Sequence, residues 1–273
     1  MQYLAIALAA LAVGGILLIY LNPGPKVTQT EKTAWLVRKP IAHRGLHTDD
    51  SDVPENSLKA CRLAMEAGYG IEVDLQMTAD GKAVVFHDHS LKRMTGVDKK
   101  INTLTWDEVK ELKLMGSQEG IPLFTQLLDL VQGRVPLLIE IKNEGAPVGQ
   151  LEAAVIEDLQ HYQGEYAVQV FNPFVLKYFK EHAPHITRGQ LASSFKGDGL
   201  ALYKKFLLRY LLLNHLSAPH FIAYDADTLP GWFANSLRQK GLYLLAWTVK
   251  SETAARRARE LYDNIIFEGF TPE

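Results

Sequence analysis

The chain has 273 residues, 47% hydrophobic and 22% charged, with 20 Gly and 12 Pro. That balance excludes collagen-like and disordered classes, and the length suits an α/β barrel of roughly 250 residues. A net charge of −2 leaves no broad basic field for nucleic acid. The single Cys61 excludes an internal disulfide and a cysteine-built zinc cluster.

Residues 1–21 carry no charged side chain, and Gln2 is their one strongly polar residue. A run of about 20 apolar residues spans a ~30 Å hydrocarbon core as a helix. No Lys or Arg precedes it and no small-x-small cleavage site follows, so residues 1–22 read as a retained single-pass transmembrane anchor or uncleaved signal. Lys26, Lys32, Arg38 and Lys39 follow, which places the C-terminal side in the cytoplasm. Residues 23–39, with their prolines, read as a linker, and residues 40–273 as one catalytic body.

From Pro40 onward, β-rich runs alternate with helical stretches. Strands are expected at 41–44, 71–76, 83–87, 137–142, 167–171, 186–191, 221–224, 242–249 and 264–268. The second and third flank MTADGK, an Asp-Gly turn too short for a crossover helix, and so form a hairpin. Setting aside the return strand leaves eight, most followed by room for a helix. That count predicts a TIM (β/α)8 barrel with a small hairpin and loop insertion. An open doubly wound sheet is the alternative, but the first turn, AHRGLH, lacks its glycine fingerprint. ENSLKACRLAMEAG reads as a helix capped by Asn56 or Ser57 and stopped by Gly68, and TWDEVKELKL as one running from a Thr105 cap to Lys113.

Ionisable residues gather at strand ends, where a TIM barrel keeps its working groups. The first strand ends in His43-Arg44. Glu72 and Asp74, at i and i+2, share one face of the second strand, as Glu140 and Lys142 do in LLIEIKN. The return strand runs out at His87-Asp88-His89. Charges inside apolar strands need partners or a metal; for Glu140 and Lys142 alone, a salt bridge fixing register is an equal reading. Together, three carboxylates suit a hard cation such as Mg²⁺ or Ca²⁺. Two histidines suit acid–base work, and Arg44 and Lys142 suit an anionic substrate. This is the outfit of metal-assisted phosphoryl chemistry.

IAHRG, VPENSLKA, GIEVDLQMTADGKAVVFHDHSLKRMTG, IPLFTQLLDL and LLIEIKN, in that order, resemble the glycerophosphodiester phosphodiesterase family over roughly residues 40–250. The resemblance implies a TIM barrel that uses a divalent cation to hydrolyse glycerophosphodiesters to glycerol phosphate and an alcohol. Carried over by position, His43 and His87 match the catalytic histidines and Glu72, Asp74 and Glu140 the metal-binding carboxylates. Arg44 and Lys142 match the phosphate-side cations, while Phe171 and Trp247 are expected pocket walls and Glu55 and Asn56 supports of the first loop. The chain departs from the pattern twice. Glu268 stands where the family's last strand commonly ends in Asp, and Lys250 where Asn often follows Trp-Thr-Val.

Between the sixth and seventh strands, residues 206–216 hold eight apolar or aromatic residues in eleven, beside Lys204, Lys205 and Arg209. An ordinary barrel helix is one reading; a basic, strongly apolar surface helix reads as a membrane-interface element. With the anchor it adds membrane lipid as a partner, and lysophospholipids or N-acyl lysophospholipids as alternative substrates for a lysophospholipase D reaction. A lyase releasing a cyclic phosphate and a catalytically inactive lipid-binding barrel are the remaining alternatives.

Overall fold

The computed structural model describes residues 30–48, 52–143 and 147–272, together with 6, 11 and 13–15. Among the described residues nine strands form one sheet: β1 (Ile41–Ala42), β2 (Gly70–Met77), β3 (Ala83–Val85), β4 (Leu137–Ile141), β5 (Tyr166–Val170), β6 (Thr187–Ala192), β7 (Phe221–Asp225), β8 (Tyr243–Val249) and β9 (Asn264–Phe267). Every one falls on an expected stretch. β1 pairs in parallel with both β2 and β9, through Ile41↔Gly70 and Ile41↔Ile266, and so closes eight strands into a TIM barrel. β3 lies antiparallel on β2, with Leu75 opposite Val85, as the Asp-Gly turn requires.

Strand alternation sorts the side chains into two cores. Ile41, Leu138, Ala167, Leu191, Phe221 and Leu245 point into the barrel. Val73, Ile139, Val168, Ile222 and Leu244 point outward and are covered by helices. The main helices are α1 (Leu58–Glu66), α2 (Phe124–Val131), α3 (Gln150–Leu159), α4 (Pro173–His182), α5 (Leu202–Arg209), α6 (Gly231–Gln239) and α7 (Glu252–Leu261). Residues of the stretch read as a linker also enter the barrel, because Trp35 and Leu36, in a single 3-10 turn, are buried against its interior residues. Phe221 fills the space beside them. Its register partner on β6 is Gly189, where an added Cβ would sit 2.0 Å from the ring.

Two helical expectations change. Ser57 does cap α1, accepting from the Ala60 amide, and Gly68 follows its end with φ +75°. Thr105 forms a capping box with Glu108, yet that helix stops after Trp106–Val109 instead of reaching Lys113. Val109 and Leu114 are both buried in the separate core of the insertion that follows β3. On one helix they would point about 140° apart, so the chain extends at Lys113 to bury both. The 206–216 stretch likewise breaks. α5 ends at Arg209, Leu211 takes φ +57°, and Leu211 and Leu212 are buried, Leu211 in the barrel's outer core.

The membrane-spanning expectation is corrected. Among the described residues no helix is long and apolar enough to cross a membrane. The main helices run to at most ten residues, about 15 Å and half a hydrocarbon core. Most of residues 1–22, on which that expectation fell, lie outside the described residues. A single-pass chain with its barrel on the cytoplasmic side is therefore not supported.

The Gly189–Phe221 contact predicts a stability effect. Gly189→Ala should destabilise the protein by about 1–3 kcal/mol, the usual range for overpacking, and Phe221→Leu should restore part of that loss in the double variant. Thermal melts of the two single variants and the double variant measure it; additive losses would mean the contact is not the cause.

Candidate active site

The barrel's C-terminal rim begins with a tight turn. His43 continues the ladder, its amide donating to the Phe267 carbonyl at 2.8 Å, before Arg44 (φ 55°) and Gly45 (φ 78°) both adopt left-handed backbone. Gly45 is required twice over, because a Cβ there would stand 2.8 Å from the Ala60 backbone of α1. In this turn the Arg44 amide donates to Glu72 Oε2 at 3.0 Å, and the Gly45 amide to the Glu72 carbonyl at 3.2 Å. The turn thus holds a carboxylate as well as presenting a cation.

Glu72 and Asp74 share the inner face of β2, and Glu140 lies directly across from Asp74 on β4. Each is buried, and the three offer oxygens that all lie within 4.8 Å of one another. Asn56 Nδ2 donates to Asp74 Oδ2 at 2.9 Å, and the Asp74 amide donates back to Asn56 Oδ1 at 3.2 Å. Lys142 pairs with Glu140 and lies 3.1 Å from Asp74 Oδ1; Arg44 Nε lies 3.3 Å from Asp74 Oδ2. Two cations therefore face three buried carboxylates. Burial, then the charges of Asp74 and Glu140, push Glu72 well above the usual carboxylate range. Burial and Asp74, against the pull of Lys142, bring Glu140 to about 7. Asp74 is held low in spite of its burial by Lys142, His87 and Arg44. Asp74 Oδ1 is buried and has the Lys142 ammonium beside it but accepts no hydrogen bond. Three buried carboxylates with only two cations against them fit a hard, oxygen-ligated cation.

Both histidines are clamped at Nδ1. His43 Nδ1 bonds Glu268 Oε2, while the other Glu268 oxygen takes Lys250 at 2.6 Å. The two positions at which the chain departs from the family pattern thus meet in one ion pair beside His43. His47 Nε2 lies 3.7 Å from the same carboxylate. His87 Nδ1 bonds Asp88 Oδ1 at 2.7 Å, and Arg93 grips Asp88 at 2.6 and 3.0 Å. Arg93 also binds Glu55, which pairs with Arg44 at 2.9 Å, so a chain of charges runs from one histidine loop to the other. Glu268 is held below its usual range by its bond to His43, with His47 and Lys250 beside it, and Asp88, against partial burial, by Arg93 and His87. As ionised acceptors they fix the Nδ1–H tautomer and leave each Nε2 to the site. Burial first, and the charge of Arg44, lower both imidazoles, against Glu268 at His43 and Asp74 at His87.

A cavity of about 110 Å³ collects these groups. Of the residues expected from sequence, His43, Arg44, Glu72, His87, Glu140, Lys142, Phe171 and Trp247 line it, and Asp74 lies just behind. Phe171 and Trp247 meet edge to face at 5.5 Å, giving one apolar wall. Gln169, Thr248, His47, Asp88 and Arg93 also belong to the neighbourhood but were not singled out. The alternation on β5 that places Phe171 inward also places Gln169 there, a signal that was readable. Arg93 lies in the insertion, where no strand periodicity points to the site.

A closed parallel barrel with this cluster at the C-terminal ends of its strands belongs to the TIM-barrel enzymes. A model of the glycerophosphoryl diester phosphodiesterase family matches residues 43–267, and the chain belongs to that family. A glycerophosphodiester phosphodiesterase of Caldanaerobacter subterraneus is 36% identical over 239 residues, covering 83% of this chain and 92% of its own. The fold is shared with a phosphodiesterase of Oleispira antarctica, solved with its product sn-glycerol-3-phosphate, at TM-score 0.69 and 24% identity over 85% of this chain and 93% of that one. A Thermotoga maritima glycerophosphodiester phosphodiesterase aligns at TM-score 0.65 and 25% identity, over 84% and 94%.

The raised Glu72 carboxyl gives a signed prediction. A folded-state pKa above the unfolded value of ~4.3 means that stability falls as pH climbs from that value through the folded one. In chelated protein at neutral pH, Glu72→Gln should therefore raise the Tm, by about 2–4 °C for each kcal/mol relieved. Mg²⁺ or Ca²⁺ should then raise the wild-type Tm and leave the variant nearly unmoved. If the wild type ignores both cations in melts, Arg44 and Lys142 alone balance the cluster.

Proposed function

We propose that this cavity hydrolyses glycerophosphodiesters to glycerol phosphate and an alcohol. One observation carries the reading: two histidines, each held at Nδ1 by an ionised carboxylate, open onto the same cavity as two cations and two of the three clustered carboxylates, with Asp74 directly behind. Glu72, Asp74 and Glu140 would hold a divalent cation, Mg²⁺ or Ca²⁺, which supplies neutralisation of charge on the phosphoryl oxygens. Arg44 and Lys142 bind the phosphodiester anion. One imidazole Nε2 takes the proton of the attacking water; the other, protonated, gives one to the departing alkoxide. Glu268 and Asp88 keep each ring in its working tautomer and stabilise its charged form. Phe171 and Trp247 exclude water from one side of the phosphate and contact the organic part of the substrate.

A lysophospholipid or N-acyl lysophospholipid is the second reading. The apolar wall of Phe171 and Trp247 favours it, a surface for an acyl chain that buried Phe195 backs, edge to face with Phe171 at 5.9 Å. A panel of glycerophosphodiesters and lysophospholipids, assayed with Mg²⁺ and with Ca²⁺, separates the two. Phosphorus NMR of early products distinguishes hydrolysis from release of a cyclic phosphate.

Replacing His43 or His87 with Ala should lower turnover at least about 100-fold, the low end for loss of an acid–base group, with circular dichroism unchanged. Full activity in either folded variant would remove that residue from the mechanism. Glu268→Gln should lower kcat with little change in KM, because it orients His43 without touching substrate, whereas Lys250→Asn should have a smaller effect on kcat. A KM effect alone would place Glu268 in substrate binding.

A further inference from the structure

The catalytic face carries an apolar surface that the reaction chemistry does not use. α5 has no buried residue, although it contains Leu202, Tyr203, Phe206, Leu207 and Leu208. Leu202 is 84% exposed and Phe206 50%. Phe206 packs on Tyr210 at 5.0 Å, and Tyr210 stacks on Trp232 at 6.2 Å. Trp232, in the first turn of α6, is itself 61% exposed. Phe174, in the first turn of α4, is exposed as well.

These side chains follow the C-terminal ends of β5, β6 and β7, three neighbours in the barrel. They therefore stand on the end of the barrel that opens the phosphate cavity. Soluble surfaces rarely gather large apolar groups in this way without a partner.

The charges beside them narrow the partner. From 196 to 209 the segment carries Lys196, Lys204, Lys205 and Arg209 against the single acid Asp198. Lys196 and Lys204 are exposed and Lys205 partly so, while Arg209 lies over the Tyr210 ring. Exposed Leu, Phe and Trp flanked by lysines match an anionic lipid interface, where the rings enter the headgroup layer and the ammonium groups meet phosphates.

We propose that Leu202, Tyr203, Phe206, Trp232 and Phe174, with Lys196, Lys204 and Lys205, dock the catalytic end of the barrel onto an anionic lipid surface. The contact uses barrel residues alone, and it deepens the proposed function by setting the cavity mouth where lipid-derived phosphodiesters are concentrated.

Trp232 reports the contact directly. Of the four tryptophans, Trp35 is buried inside the barrel, Trp247 lines the cavity and Trp106 packs, partly buried, on the core of the insertion after β3, whereas Trp232 stands on the surface. The experiment mixes the full chain with vesicles of phosphatidylglycerol and brominated phosphatidylcholine and follows tryptophan quenching. Wild type should be quenched, and Trp232→Phe should lose most of the quenching while still sedimenting with the vesicles. Lys204→Gln with Lys205→Gln should weaken the titration roughly 25-fold, about fivefold per lysine, and purely zwitterionic vesicles should do the same or more. Turnover of a soluble glycerophosphodiester should be unchanged in all these variants.

Unquenched Trp232 overturns the proposal, even if the chain sediments with vesicles through other residues. So does equal quenching in zwitterionic vesicles, or self-association of the wild type in the ultracentrifuge that the Phe206→Ser variant abolishes. Quenching is read without turnover, so its failure and a failure of the hydrolytic reading are told apart.

Discussion

Burying three carboxylates within 4.8 Å of one another is the constraint on which the rest of the site depends. Water would screen such a cluster, but Glu72, Asp74 and Glu140 are all buried, and their charges must be met by fixed groups. The neighbouring elements supply them. The left-handed turn after β1 directs an amide at Glu72, the Asn56 side chain brackets Asp74, and Lys142 sits one residue beyond β4 between two acids. Even so, the cluster stays short of positive charge, and that shortage is what suits it to a cation and an anionic substrate together.

The histidines repeat the same logic at smaller scale. Each is oriented by an acid that is itself held by a base: Glu268 by Lys250, Asp88 by Arg93. The tethers come from different parts of the chain, one from the end of β8 and the other from the insertion after β3. The insertion thus does more than cover the barrel. Through Arg93 and Glu55 it joins the loop bearing His87 to the turn bearing Arg44.

Much of this was legible in the chain itself. Apolar runs with an Asp-Gly turn located every strand, and the i, i+2 spacing of Glu72 and Asp74 put both on one face. The failures have physical causes. Hydrophobic content marked 206–216 as one surface helix, but a left-handed residue at Leu211 redirects the chain, so the leucines at 211 and 212 are buried and the exposed apolar groups lie earlier, at 202–206. Composition counts apolar residues without saying which way they point. Lys250 and Glu268 each looked like an isolated departure, because a pairing across β8 and β9 is invisible until the strands are neighbours. The helix after Thr105 ended early because two buried positions could not share one helical face.

Closure of the barrel has a further consequence for how the protein comes into being. β1 is two residues long and is held between β2 and the last strand, β9. His43 leaves the first strand and Glu268 the last, and they are separated by 225 positions. Their contact is among the most non-local in the molecule, so its loop-closure entropy must be met by pairings formed earlier around the ring. On a ribosome, the first eight strands can emerge and begin to pair while the carboxylate that orients His43 is still unmade. The seam of the barrel and the His43–Glu268 pair are therefore completed by the same late event, and a nascent chain that lacks its last strand holds an unfinished centre.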